Sequence, residues 1–264
     1  MNSDFLTKII SDKKQEIAAA KSKLPENILR DKTVVHQKKR MFFKKLEMPG
    51  PSGINIIAEI KRASPSRGDI CPDLNPAVYA SAYEAGGAAA LSVLTDTPHF
   101  KGSIKDFKTA RQAVNIPVLR KDFLISSYQI YESALIGADA VLLIARILSP
   151  NQLKEYLDLC VELNMDALVE INSEEDLKLA SAAGARLIGI NNRDLSTFKT
   201  SLNTTINLAA LLEKDQVAVA ASGIKTREDI EKIVNSGIHN FLIGESLVTS
   251  SNPKAFLMKL MGKK

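Results

Sequence analysis

Glu59 and Lys61 stand two residues apart at the end of an apolar run, which puts a carboxylate and an ammonium on one side of an extended chain. Residues 54–66 read INIIAEIKRASPS, and five of the six residues flanking Glu59 between Ile54 and Ile60 are apolar. That is the pattern of a strand buried on both faces of a parallel sheet. Two opposite charges pointing together at such a strand end are either an ion pair that closes the strand or part of an acid–base site. The decision rests on what the rest of the chain brings to the same place.

Similar apolar runs recur. They begin near Ile54, Ala88, Ile116, Asp139, Asp166, Arg186, Gln216 and Asn240, at intervals of 20 to 34 residues, with a helix-like segment in each gap. Asn75-Pro76, Ser149-Pro150 and Asn252-Pro253 each offer a capping side chain followed by proline at the first helical position. Ser173-x-x-Asp176 and Thr226-x-x-Asp229 resemble capping boxes with aspartate as the acid. Gly86-Gly87, Gly137, Gly184 and Gly237 fall where helices should end just before strands. Eight repeats of strand and helix imply an α/β fold, a closed (β/α)8 TIM barrel. Residues 1–50 precede the first strand as an N-terminal helical extension, and residues 1–264 are expected to form one domain, a size that suits one such barrel.

In a barrel of this kind functional groups stand at the C-terminal ends of the strands. Those ends carry Glu59 and Lys61 (first strand), Lys121 and Asp122 (third), Glu170 (fifth), and Asn191, Asn192 and Arg193 (sixth). Ser222-Gly223 and Gly244-Glu245-Ser246 follow the seventh and eighth. Gly223 and Gly244 permit close backbone approach to a ligand, and amides there, with a short helix behind them, are the usual phosphate site of such barrels. Ser64 on the first loop adds a hydroxyl. The expected ligand is therefore a small anionic, phosphorylated molecule.

Composition narrows the alternatives. Hydrophobic content of 45% and charged content of 25% describe an ordinary globule. The longest purely apolar stretch, residues 140–145, is far shorter than the ~20 residues that span a bilayer, and the N-terminus lacks a signal peptide's apolar core. A cytoplasmic protein without membrane contact is expected. Cys71 and Cys160 stand alone, and His36, His99 and His239 have no ligand spacing, so no metal is expected. No dinucleotide or Walker loop is present, and no cofactor is expected. The net charge of +5 resides in residues 1–50, which hold 12 Lys+Arg against 6 Asp+Glu. There Phe5, Leu6, Ile9, Ile10 and Ile17 fall at helical spacing, which predicts an amphipathic helix with a solvated lysine face rather than a nucleic-acid arm. A monomer is expected.

The segments IIAEIKRASPS, LSVLTD with residues 100–103 (FKGS), VLRKDF, ADAVLLIARIL, LVEI, IGINNRDL, ASGI and FLIGESL resemble indole-3-glycerol-phosphate synthase, the barrel enzyme of tryptophan biosynthesis. The similarity runs in order around all eight strands, and the chain resembles the monofunctional form. The resemblance implies closure of 1-(2-carboxyphenylamino)-1-deoxyribulose 5-phosphate to indole-3-glycerol phosphate, with loss of carbon dioxide and water. It also implies a general acid at Lys121, a base at Glu170 with Glu59 as partner carboxylate, and a second active-site lysine at Lys61 that holds the substrate's carboxylate or its phosphate. Asn191 would hold a carboxylate or hydroxyl with Arg193 behind it, and Ser222 would line the pocket. Phe100 would stack on the anthranilate ring, while Ser64, Gly223, Gly244, the Glu245 amide and the neighbouring Ser246 would serve the phosphate.

One position departs from the pattern. The family reads Glu-Ser-Gly after the seventh strand, whereas this chain reads Ala221-Ser222-Gly223, so one carboxylate is missing. Two alternatives remain at this level. A phosphate-binding isomerase barrel of the same pathway needs no second lysine, which Lys61 and Lys121 argue against. A catalytically impaired barrel, binding a phosphorylated ligand or RNA, is made conceivable by Ala221.

Overall fold

A computed structural model describes residues 3–33, 40–194 and 198–263. Eight parallel strands close on themselves: β1 (Asn55–Ile60), β2 (Ala90–Leu94), β3 (Val118–Lys121), β4 (Ala140–Ile144), β5 (Asp166–Ile171), β6 (Leu187–Asn191), β7 (Val217–Ala221) and β8 (Asn240–Ile243). Closure is made by β1, whose Asn55 pairs with Asn240 of β8 while its Ile60 pairs with Val93 of β2. Each strand begins within two residues of its expected start.

The local chemistry is the expected one. Asn75, Ser149, Ser173, Thr226 and Asn252 all accept backbone N–H groups in the first turn of the helices they precede. Reciprocal capping boxes form at Ser149/Gln152 and Thr226/Asp229. Gly87, Gly137, Gly184 and Gly237 have φ between 84° and 95°, the left-handed conformation that ends a helix without a Cβ penalty.

Alternation along the strands separates two cores. Outward residues such as Ile56, Ala58, Val93, Val141, Val169, Ile188, Ala220 and Phe241 pack under the surrounding helices. Inward residues Ile57, Ala90, Leu119, Ala140, Leu142, Leu168, Leu187, Val219 and Leu242 fill the barrel. The N-terminal segment packs against that interior at both ends. α1 (Ser3–Lys23) contributes Ile9 at one end, and the short α3 (Phe42–Leu46) contributes Phe42 and Leu46 at the other, with α2 (Glu26–Lys32) between them in the chain. At the bottom, Asp139 accepts the Arg40 N–H at 3.0 Å and Asp166 the Phe43 N–H at 2.9 Å, so two strand-start carboxylates hold α3 in place.

Phe42 is fully buried, at 0% exposure. Phe42→Ala should therefore cost about 3–5 kcal/mol of stability in urea unfolding. Turnover by the folded fraction should stay within a few-fold of the parent, because the side chain lies at the end of the barrel away from the strand C-termini.

Candidate active site

The same alternation that puts Ile57, Leu119, Leu168 and Val219 inside puts the residues two positions further on inside as well. Glu59, Lys121, Glu170 and Ala221 thus stand at the top of inward-facing columns, and Asn191 and Gly244 hold the equivalent places on β6 and β8. They surround a cavity of about 900 Å3 at the C-terminal end of the barrel. All of the expected site residues line it: Glu59, Lys61, Ser64, Phe100, Lys121, Glu170, Asn191, Arg193, Ser222, Gly223, Gly244, Glu245 and Ser246.

The charged groups are paired, one pair within the end of β1 and one between β3 and β5. Lys61 Nζ lies 2.9 Å from Glu59 Oε1, and Lys121 Nζ lies 3.2 Å from Glu170 Oε2. Asn191 Nδ2 donates to the other Glu170 oxygen at 3.1 Å, and Asn191 Oδ1 accepts the Arg193 N–H at 3.0 Å. Burial disfavours the charge on Lys121, but the Glu170 and Glu59 carboxylates outweigh it and hold this ammonium above the ordinary lysine range. Glu59 Oε2 and Ser64 Oγ are buried without a hydrogen-bond partner among the described residues, and both residues face the cavity. Buried polar atoms are rarely left so, and a substrate's polar groups are the natural complement.

On β7 and β8, next to β1, the backbone comes forward. Ser222 and Gly223 have φ of 68° and 78° in succession. The conformation is unfavourable for serine and is held by Asn192, whose Nδ2 donates to Ser222 O at 3.1 Å. Asn192 is itself fixed by Thr205, which donates from its N–H at 3.1 Å and its hydroxyl at 2.7 Å. A Cβ on Gly223 would strike the Thr200 methyl, and one on Gly244 would strike the Glu59 carboxylate. Glycine at 244 is therefore what lets the β1 carboxylate sit against β8. Behind Gly244 runs a single helical turn, Glu245–Val248.

After β1 a two-residue hairpin, Ala63–Ser64 against Gly68–Asp69, leans over the cavity. Its tip is tied down: Arg193 Nη1 donates to Ser66 Oγ, Arg67 Nη2 lies 2.7 Å from Glu245 Oε1, and Arg193 Nη2 lies 3.8 Å from Glu245 Oε2. Arg193 does more than stand behind Asn191, since it links β6, the hairpin and Glu245. Arg62, by contrast, turns outward to Asp106, with contacts of 2.8 and 3.1 Å.

Two features of the site were absent from the sequence reading. The first is its apolar wall: Phe123, Leu142 and Ile144 of the barrel line the cavity together with Phe5, Leu6 and Ile9 of α1. The second is Lys13. The expected solvated lysine face of α1 holds for Lys8 and Lys14, which are exposed, but Lys13 is 1% exposed and contacts Asp96 and Asp122. The signal was present, since Ile9, Lys13 and Ile17 follow one another at four-residue spacing on a single face. Asp122 is correspondingly no free mouth carboxylate. Burial pushes its carboxyl up, but the charges of Arg120 and Lys13 hold it below the usual range.

Fold and site together define a (β/α)8-barrel enzyme whose mouth sets two lysine–carboxylate pairs against a backbone cup suited to phosphate. The family model for indole-3-glycerol phosphate synthase matches residues 6–260. Indole-3-glycerol phosphate synthases from Syntrophobacter fumaroxidans and Desulfosudis oleivorans are 53% and 54% identical to this chain, with 98% of both chains covered in each case. One from Lachnoclostridium phytofermentans is 41% identical, over 97% of this chain and 98% of its own. The chain belongs to the indole-3-glycerol phosphate synthase family, decarboxylating lyases of tryptophan biosynthesis. The solved thiamine phosphate pyrophosphorylase from Pyrococcus furiosus, at 14% identity, shares the fold alone, with a TM-score of 0.60 over 79% of this chain and 94% of that one.

The electrostatics of Lys121 can be tested directly. In a 13C-lysine NMR titration its midpoint should lie above the ordinary value of 10.5, because the two carboxylates favour the charged form. Glu170→Gln should lower that midpoint, since it removes the nearer attraction while the cost of burial stays.

Proposed function

We propose that this barrel mouth closes 1-(2-carboxyphenylamino)-1-deoxyribulose 5-phosphate to indole-3-glycerol phosphate with Lys121 as the general acid. The observation that carries this assignment is the placement of the Lys121 ammonium in the cavity, kept charged by Glu170 and Glu59. An aromatic carbon is a weak nucleophile, so the ketone it attacks must receive a proton as the carbon–carbon bond forms. A positioned ammonium supplies it. Rearomatisation then expels the ring carboxylate as carbon dioxide. The resulting hydroxyl departs as water with help from an acid, while a base takes the proton whose loss forms the indole double bond.

Glu170 is the candidate base. Its second oxygen is oriented by Asn191, which leaves the first to exchange protons with Lys121 or substrate. Glu59 and Lys61 form the second pair, and Glu59 packs against Gly244, beside the cup formed with Gly223 and the Glu245 amide. Lys61 is thereby suited to an anionic end of the substrate. Phe100 and Phe123, with ring centroids 6.1 Å apart, offer an apolar slot for the anthranilate ring. Ser64, Ser222 and Ser246 lie around the phosphate side. Residues 1–50 act as part of the same domain, which works as a cytoplasmic monomer without nucleic acid. Among the described residues no helix is long and apolar enough to cross a membrane.

Adding the substrate to purified protein and following indole fluorescence tests the function, and absence of product refutes it. In the same assay Lys121→Ala should lower kcat by roughly 10²- to 10⁴-fold with little change in KM. Lys61→Ala should raise KM as well, because a lysine that orients an anion contributes to ground-state binding. Identical kinetic profiles for the two variants would overturn this division of roles.

Ala221 is in register with Asn191 on one side and Leu242 on the other, at the top of its inward column. A carboxylate there would lie between the two lysine–carboxylate pairs and help orient an ammonium. Ala221→Glu should raise kcat about tenfold or more, by analogy with outer residues that orient metal ligands, and leave KM within a few-fold. Thermal unfolding measured alongside should detect the cost of adding a charge at a buried strand end. A folded variant no faster than the parent means the missing carboxylate does not limit the reaction.

A further inference from the structure

Lys13 is a buried lysine that the sequence pattern places among solvated ones and that the chemistry above does not use. Its Nζ lies 2.9 Å from Asp96 Oδ2 and 2.9 Å from Asp122 Oδ1, with the half-exposed Glu16 also at 2.9 Å. Each of the two buried carboxylates is committed elsewhere through its remaining bonds. Asp96 follows β2, and its Oδ1 accepts the His99 N–H at 2.9 Å, capping the short helix Thr97–Phe100 that ends in Phe100. Asp122 sits between Lys121 and Phe123. Its Oδ1 accepts the Phe123 N–H at 2.8 Å, and its Oδ2 accepts from the Thr95 hydroxyl at 2.5 Å and from Arg120 at 3.3 Å. One ammonium from α1 therefore joins the segment that carries Phe100 to the segment that carries Lys121 and Phe123.

Charge adds to a junction that Thr95 also makes, through its hydroxyl to Asp122 and its N–H to Lys121 O at 3.0 Å. Lys13, Arg120, Asp96 and Asp122 are all at most 3% exposed, and Arg120 also pairs with the less buried Glu132 at 2.8 Å, closer than its 3.3 Å contact with Asp122. Without Lys13, two buried anions would share one cation, and burial of an unpaired charge is strongly unfavourable. The least costly relief is for Asp96 or Asp122 to move toward water, and either movement displaces a side chain that lines the cavity.

We propose that Lys13 is a positioning residue for the reaction, clamping Asp96 to Asp122 so that the ring slot of Phe100 and Phe123 and the ammonium of Lys121 are held in one fixed relation. The claim rests on the reading of Lys121 as the acid. Small misplacements of reacting groups cost up to about 10²-fold in rate, so a clamp of this kind acts through geometry without touching substrate.

The test uses the full chain carrying Lys13→Met, which keeps side-chain length and removes the charge. At a temperature where circular dichroism shows it folded, kcat should fall by about 10- to 100-fold. Binding of indole-3-glycerol phosphate, followed by its indole fluorescence, should weaken about tenfold, while inhibition by inorganic phosphate should be unchanged, because the phosphate cup is built by β7 and β8. Equal weakening of both ligands, or no change in either, overturns the proposal. Because Lys13→Met alone could fold poorly, Lys13→Met with Asp96→Asn restores the charge balance while the asparagine can still cap His99. Stability should recover and kcat should not. Full recovery of kcat would mean that Lys13 is only a counter-charge and would overturn the proposal. A parent protein that binds indole-3-glycerol phosphate yet makes none from substrate would refute the assigned reaction instead, and the positioning claim is then decided by the two binding measurements.

Discussion

Closure of the sheet is the constraint on which everything else depends. Once β1 hydrogen-bonds to both β8 and β2, each strand has a fixed inside and outside, and alternate residues are committed to one or the other. Polar side chains in the lower part of the interior would be sealed from water, so those columns read Ile57, Leu119, Leu168 and Val219. The last inward positions of β1, β3 and β5 reach the open cavity, and there the same columns turn to Glu59, Lys121 and Glu170. The candidate site is thus the upper layer of the core, standing on the packed layers beneath it. A one-residue slip in any strand would turn its charged group outward into the helix layer.

Within that upper layer charges are arranged in compensated pairs. Lys61 with Glu59 and Lys121 with Glu170 keep four charged groups at a partly buried mouth without leaving any one unpaired. Both members of each pair remain available to a substrate, because Glu59 keeps an unpartnered oxygen and Lys121 faces the cavity. A lysine held above its ordinary range stays protonated at neutral pH, so the Lys121 ammonium carries the proton a general acid needs, although the raised value makes it a weaker acid than a free lysine. Ala221 interrupts this upper layer with a methyl group, between Asn191 on β6 and Leu242 on β8.

The N-terminal segment is part of the same architecture. It closes the bottom of the barrel with Phe42 and Leu46 and adds Ile9 to the apolar wall of the cavity at the top. Carboxylates attach it at both ends: Asp139 and Asp166 accept backbone N–H groups below, and Asp96 and Asp122 pair with the Lys13 ammonium above. The aromatic contacts of Phe5 with His99 and with Phe198, centroids 5.9 and 5.4 Å apart, add to the upper attachment. The basic excess of residues 1–50 is therefore not a uniform solvated face, since one of its lysines is a core residue.

The sequence by itself determined the eightfold repeat, the strand starts to within two residues, and the helix caps at Asn75, Ser149, Ser173, Thr226 and Asn252, because these depend on periodicity and on neighbours a few positions away. It also determined which residues reach the mouth, since the ends of parallel strands in a closed barrel all face one way. The pairings were decided only by the tertiary structure. Nothing local says that Lys121 meets Glu170 rather than Glu59, that Glu59 requires glycine at 244, or that Arg193 reaches across to Ser66 and Glu245. Lys13 marks the boundary most sharply. Its position on the apolar stripe of α1 was legible, yet whether a stripe lysine is solvated or buried depends on finding two carboxylates, Asp96 and Asp122, which lie 83 and 109 residues further along the chain and come within reach only when the barrel closes.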